Sequence, residues 1–301
     1  MADAVWTPER TLDEAGAARL ISEAFPELSP VKAALMGAGW DNTAFLVDDA
    51  LVFRFPRRAV AVPLLEIENA VLPQIAPRLP LAIPAPIFYA NQGEGFPWPF
   101  AGYPLVPGRT LETFALSKTK RCKLAAPLGA FLKALHAIPT DDLPLPGDAI
   151  GRLELTRRLP GCRERLIQAS ALGLIPDLAP LAALLDASPP DARREDTLVH
   201  GDLYARHLVL DSGGALTGAI DWGDVHRGDP ACDLMAAHLL LPPAAHPEFL
   251  RAYGPVSGET WHAARVRAAG HSLAVILYAA EIHDAPLLAE TQVALDFLSS
   301  L

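Results

Sequence analysis

The chain has 301 residues, 51% hydrophobic and 20% charged, a balance that excludes a disordered or fibrous protein and leaves room for one large domain or two lobes. Its formal net charge of −10 argues against nucleic acid, which needs clustered Lys and Arg, and would attract a cationic small molecule. Three scattered cysteines, Cys122, Cys162 and Cys232, form no CxxC pair, which fits a reducing cytoplasm and not a disulfide framework or zinc ribbon.

The N-terminus carries Asp3, Glu9, Asp13 and Glu14 where a secretory signal would be basic and then apolar. No apolar run is expected to approach the ~18 residues of a membrane span, so a cytoplasmic chain with no membrane partner is expected. Thr11-Leu12-Asp13-Glu14 reads as a capping box opening a helix over Ala15–Phe25. Three short strands follow, Val31–Gly39, Asn42–Val47 and Leu51–Phe55. The turn Met36-Gly37-Ala38-Gly39-Trp40-Asp41-Asn42 contains glycines that allow a close backbone approach to phosphates. Arg54 is a lone charge on its strand, on the face opposite Phe53 and Phe55. Leu64–Ile75 reads as an apolar helix that Pro73 kinks or ends, with Glu66 and Glu68 as its acids.

Ile87–Asn91 and Phe100–Val106 read as two more strands, the second running into Tyr103-Pro104-Leu105-Val106-Pro107-Gly108. Leu124, Leu128, Phe131, Leu132, Leu135 and Ile138 form an amphipathic helical stripe, and helices are expected over Arg152–Ser170 and Leu178–Ala187, ended by Ser188-Pro189-Pro190. Past Asp233 the pattern stays helical, over Leu234–Leu241, Pro247–Tyr253, Gly258–Ala280 and Ala285–Ser300.

The organising stretch is Leu198–Asp233. Apolar Leu198-Val199 lead into His200-Gly201-Asp202, a polar loop leads to Leu208-Val209-Leu210, and a third strand, Leu216–Ile220, delivers Asp221-Trp222. Two carboxylates are thus carried at the ends of short strands, where catalytic groups concentrate. His207 is a third candidate between them, and Asp229 and Asp233 read as start signals of the following helix.

His200-Gly201-Asp202-Leu203, then His207, then Asp221-Trp222, resembles the catalytic segment of the aminoglycoside phosphotransferase family, small-molecule kinases related to protein kinases. His207 stands where most of that family has Asn, and with Tyr204 and Asp221-Trp222 this is most similar to its macrolide 2′-phosphotransferase branch. The resemblance implies an α+β, two-lobed protein kinase-like fold. A small antiparallel-sheet N-lobe, residues 1–106, would bind the nucleotide, and a large mostly helical C-lobe, residues 107–301, would carry the catalytic loop and acceptor pocket. It implies transfer of the γ-phosphate of ATP or GTP to a hydroxyl of an antibiotic-like acceptor, macrolide or aminoglycoside, with Mg2+ as cofactor. Asp202 would orient the hydroxyl, and Asp221 with His207 would hold metal, although imidazole is a softer ligand than magnesium prefers. Arg54 would stand at the phosphate-contacting Lys position with Glu68 as its partner. Gly37, Gly39 and Asn42 would cover the phosphates, and Tyr103 and Leu105 would meet the base. Asp224, Glu281 and Asp284 are candidates for reading an ammonium group, and Trp222 for lining the acceptor pocket. Two rivals remain at this level. One is a metal-dependent hydrolase using His200, Asp202, His207, Asp221 and His226, and the other is a non-catalytic nucleotide-binding protein.

Overall fold

The computed structural model describes residues 7–39, 41–187 and 196–300. Trp40 and Ser188-Pro189-Pro190 lie outside the described residues. The chain divides into two compact units, one of residues 1–77 and 83–106, the other of residues 78–82 and 107–301.

The first unit is built on a five-stranded antiparallel sheet in the order β1-β2-β3-β5-β4, with β1 Ala33–Ala38, β2 Asn42–Val47, β3 Leu51–Pro56, β4 Phe88–Ala90 and β5 Phe100–Pro104. Alternation puts Phe45, Val47, Phe53 and Phe55 on one face, where they pack with Phe96, Phe100 and Leu20 and Ile21 of helix α1, Glu14–Ala24. Phe55 stacks on Phe100 with ring centroids 4.6 Å apart. Each such buried aromatic stabilises the unit by about 1.5–3 kcal/mol.

The capping box is corrected. Asp13 caps α1, accepting the Gly16 N–H at 2.8 Å, while Glu14 accepts the Leu35 N–H at 2.8 Å and so does not reach back along the helix. Helix α2, Val62–Ile75, starts with Pro in its first turn and runs on past Pro73, which falls late enough that the lost hydrogen bond is confined to the last turn. With its flanking turns, Ala59–Arg78 is long and apolar enough by length and composition to cross a membrane, at a mean hydropathy of 1.3, which corrects the expectation that no such run exists. Here it buries Leu65, Val71, Leu72 and Ile75 and meets the Arg54 face of the sheet through Glu68.

The second unit is mostly helical. It contains α3 (Lys118–Cys122), α4 (Ala125–His136), α5 (Leu155–Ala171), α6 (Ala179–Asp186), α7 (Ala231–Leu240), α8 (His246–Tyr253), α9 (Gly258–Glu281) and α10 (Ala285–Ser299). All ten residues of α7 are buried, so it is the central helix, with α4, α9 and α10 packed around it. Short strands carry the loops on which function is expected. These are β6 (Arg109–Thr110), β7 (Thr197–Val199), β8 (Leu208–Leu210), β9 (Leu216–Ala219) and β10 (His226–Gly228), paired as β6-β8-β9 and β10-β7. Neither β6 nor β10 is visible in the sequence, because two or three residues show no period.

Candidate active site

In the second unit, β7 ends at Val199 and delivers His200, Gly201 and Asp202 into a loop. Asp233, fully buried near the start of α7, holds that loop by its backbone, accepting the His200 N–H at 2.8 Å and the Gly201 N–H at 2.9 Å. Burial works against the charged form of Asp233, but the His136 imidazole at 3.1 Å and the loop amides hold its carboxyl below the usual range. Arg267 of α9 completes the brace, donating to the Gly201 carbonyl at 2.9 Å.

His200 joins the two carboxylate-bearing loops. Its Nε2 donates to the Ile220 carbonyl at 3.0 Å, which leaves Nδ1 to face the Asp202 N–H at 3.4 Å. Both nitrogens are therefore occupied, and burial lowers its pKa. His226 lies elsewhere, with Nδ1 on the Asp224 carbonyl at 2.7 Å. The five-ligand hydrolase site drawn from the sequence is not assembled.

His207 stands between the two acids. Its Nδ1 donates to the Asp202 carbonyl at 2.7 Å and lies 3.7 Å from the Asp202 carboxylate, and its Nε2 lies 3.3 Å from Asp221 Oδ2. Burial opposes charging of His207, yet Asp221 and Asp202 outweigh it and push its pKa up to about 9. Asp221 follows β9 with φ of 61°, in the left-handed region that a non-glycine residue enters at a cost in strain, as residues at functional sites do. Asp202 and Asp221 are 29% and 52% exposed at the side chain, open enough to meet a ligand.

A divalent cation fits these groups. Nε2 of His207 and Asp221 Oδ2 lie 3.3 Å apart, so both would reach a cation that displaced the proton between them, and the Nδ1–H anchored on a backbone carbonyl is the arrangement that orients a liganding histidine. The negative field that draws a proton onto His207 would also draw a cation.

His271 of α9 was not singled out from the sequence. Its Nδ1 lies 3.6 Å from Asp202 Oδ1, and Tyr204 packs edge-on against both His271 and His207. Burial pushes the His271 imidazole down to about 4 despite the pull of Asp202, so it is neutral at pH 7. The available signal was the Arg267/His271 spacing, which puts both on one helix face toward the catalytic loop.

Three acceptor candidates take other roles. Trp222 is fully buried, donates its indole N–H to the Ala219 carbonyl at 3.0 Å and packs on His200 and Phe131, so it is core. Asp224 is ion-paired with Arg152, and Asp284 with Arg206 while also capping α10 through the Leu287 N–H. Neither acid is left to read an ammonium group alone. Glu281 is exposed at the end of α9.

In the first unit, Arg54 Nη1 meets Glu68 Oε2 at 2.7 Å with both side chains buried, while Glu66 is exposed, so Glu68 is the partner. A Cβ at Gly37 would touch nothing within 4 Å, leaving open space there. The Gly39 N–H is taken by the Asn42 carbonyl at 2.9 Å, closing the hairpin, and is not free for phosphate. Asn42 Oδ1 is buried without a hydrogen-bond partner. Tyr103 pairs with Val52 in the sheet. The Leu105 N–H donates to the Ala50 carbonyl at 2.8 Å, so it is not the hinge donor expected for the base. Alternation within β5 turns the Pro104 carbonyl to the side opposite β3.

The profile of the phosphotransferase enzyme family (APH) matches residues 32–267. The chain belongs to that family. Its fold is the kinase-like one of solved relatives. The GDP and kanamycin complex of APH(2")-IIia aligns with a TM-score of 0.66 at 23% identity, over 94% of this chain and 98% of that one. Macrolide 2'-phosphotransferase type I aligns with a TM-score of 0.61, also at 23% identity, over 95% of this chain and 98% of that one. A segment of 65 residues is 31% identical to the uncharacterized protein YcbJ of Bacillus subtilis (strain 168), spanning 22% of this chain and only 21% of that relative. The family match, and not these structural likenesses, places the chain among the phosphotransferases, and identities this low leave its acceptor open.

Proposed function

We propose that the protein transfers the γ-phosphoryl group of ATP or GTP to a hydroxyl of an antibiotic-like small molecule, a macrolide or an aminoglycoside, in the cytoplasm. The observation that carries this reading is the pair of accessible carboxylates bracketing His207, at 3.7 Å from Asp202 and 3.3 Å from Asp221. Phosphoryl transfer asks mainly for positioning and charge stabilisation, which such a set supplies.

Asp202 accepts the proton of the acceptor hydroxyl as its oxygen bonds to the γ-phosphorus, and the bond to the β-phosphate oxygen breaks to leave the nucleoside diphosphate. Asp221 and His207 would hold Mg2+, which when bound neutralises charge on the phosphates. Arg54, pinned by Glu68, steadies the phosphates, with the Gly37 turn and Asn42 beside them. Tyr103 and the Pro104 carbonyl are the groups offered to the base. The acceptor's positive charge, where it has one, is drawn by the overall charge of −10. Among the proposed acidic readers, Asp224 and Asp284 are ion-paired with Arg152 and Arg206, and Glu281 is exposed.

The test is transfer of labelled γ-phosphate from ATP and from GTP to a panel of macrolides and aminoglycosides. Asp202→Ala should slow transfer by ~10²–10⁴. Transfer at the wild-type rate by that variant would remove Asp202 from the reaction and the proposal with it.

A further inference from the structure

A second cluster of metal-ligand type lies in the second unit, made of residues other than the carboxylate pair and His207. Asp148, His226 and Cys232 each present a ligand atom, all within 4.8 Å of one another. They come from three segments, namely the loop before α5, strand β10 and the first turn of α7. Backbone bonds already join two of these, since the Arg227 N–H donates to the Pro146 carbonyl at 2.8 Å beside a bridge between Gly147 and Arg227.

Three observations point to a ligand here. His226 is 2% exposed, and its Nε2 is buried without a hydrogen-bond partner. An unsatisfied buried nitrogen costs about 1–3 kcal/mol and calls for an explanation. Its Nδ1 donates to the Asp224 carbonyl at 2.7 Å, which fixes the tautomer with the lone pair on Nε2, the form in which a histidine binds metal. The ring's surroundings are kept clear by glycine: a Cβ on Gly228 would lie 2.6 Å from Nε2, and one on Gly201 would lie 2.9 Å from Nδ1.

The donor set selects the ion. One thiolate, one imidazole and one carboxylate suit a borderline-soft divalent metal, above all Zn2+, and poorly suit Mg2+ or Ca2+. Charge also balances. A divalent ion with the Arg152 guanidinium carries three positive charges, and ionised Cys232, Asp148 and Asp224 carry three negative ones, with Arg152 already bridging Asp148 and Asp224. Burial pushes the Cys232 thiol up to about 12, so the metal must displace its proton, releasing one proton to solvent as the metal–sulfur bond forms.

We propose that Asp148, His226 and Cys232 form a structural Zn2+ site, completed by water, that staples the loop before α5 to β10 and α7. It is independent of the phosphotransfer reading, because none of its ligands belongs to that machinery. The probe is Co2+, added to full-length protein stripped with a chelator and followed by absorption. Thiolate-to-cobalt charge transfer separates this site from the His207/Asp221 site, which has no sulfur, and Cys232→Ala separates it from Cys122 and Cys162.

The expected result is one Co2+ bound with that band, displaced by Zn2+, and a Tm raised by Zn2+. Cys232→Ala should abolish the band, and Asp148→Asn, in a partly exposed loop, should weaken binding about tenfold or more while the chain stays folded by circular dichroism. No charge-transfer band in the wild-type protein, or a band and affinity unchanged by Asp148→Asn and His226→Gln, would overturn the site.

Discussion

Replacing Asp233 by Asn removes one charge and one acceptor from the base of the catalytic loop. The carboxylate is fully buried and uses both oxygens, one on the Gly201 N–H and one on the His200 N–H, with His136 on the second. An amide can accept at only one of these points and turns a donor toward another donor at the other. A hydrogen bond to a charged group contributes about 1.5–3 kcal/mol, and breaking a buried charged pair costs about 3–5 kcal/mol. Since Asp233 is held ionised, the upper range applies. For a unit of this size 1 kcal/mol moves Tm by roughly 2–4 °C, so a fall of about 10 °C is expected by differential scanning calorimetry at pH 7. The released loop also carries Asp202, and a displacement of about 1 Å costs on the order of 10² in rate. As a control, Asp211→Asn alters an exposed turn whose carboxylate accepts only the Gly213 and Ala215 N–H groups, and should cost about 1 kcal/mol. If Asp233→Asn melted with the wild type and kept its kcat, the bracing argument would be wrong.

Glu68→Gln should weaken nucleotide binding with little change in acceptor KM, because Arg54 loses its charged anchor; calorimetric titration of the magnesium nucleotide would show it, and equal affinity would disconnect the pair from the phosphates. His207→Asn exchanges imidazole for an amide oxygen and should move the metal preference of transfer from Mn2+ or Co2+ toward Mg2+; an unmoved preference would take His207 out of the metal's reach. Acid should destabilise the fold through His271, whose native pKa of about 4 lies below the unfolded value of about 6.5. Both states are neutral above pH 6.5, so its contribution is fully present there and is lost as pH falls, because only the unfolded chain takes up the proton. The loss is about 2 kcal/mol at pH 5, and urea midpoints for wild type and His271→Gln should converge on acidification. Parallel midpoint curves would contradict this.

The segment proposed as catalytic was legible as a unit because its polar residues are written contiguously, from His200 to Asp233, on strands and turns with strong local signals. The strand charge and its helix partner were legible too: Glu68 was named ahead of Glu66 from the resemblance, and Glu68 is the acid that meets Arg54 while Glu66 is exposed. What failed depends on distant partners. Asp224 and Asp284 looked like unengaged acids, yet their cations, Arg152 and Arg206, lie 72 and 78 residues away in sequence. The Leu105 N–H, expected to meet the base, is taken by the Ala50 carbonyl, because side-to-side alternation of N–H groups follows from ladder register, and composition does not fix that register. His271 escaped notice because a histidine in a long helix carries no mark of the loop it meets until the helix is packed.

His200 makes the spacing of the two carboxylate-bearing loops a property of an aromatic ring. Because imidazole cannot bend, the stretch ending at Ile220 and the amide of Asp202 sit a fixed span apart, whatever freedom the rest of either loop has. A chain-like substitute such as Gln could still touch both ends, but it would let the span breathe. The separation of the two carboxylate-bearing loops is therefore set before any ligand arrives.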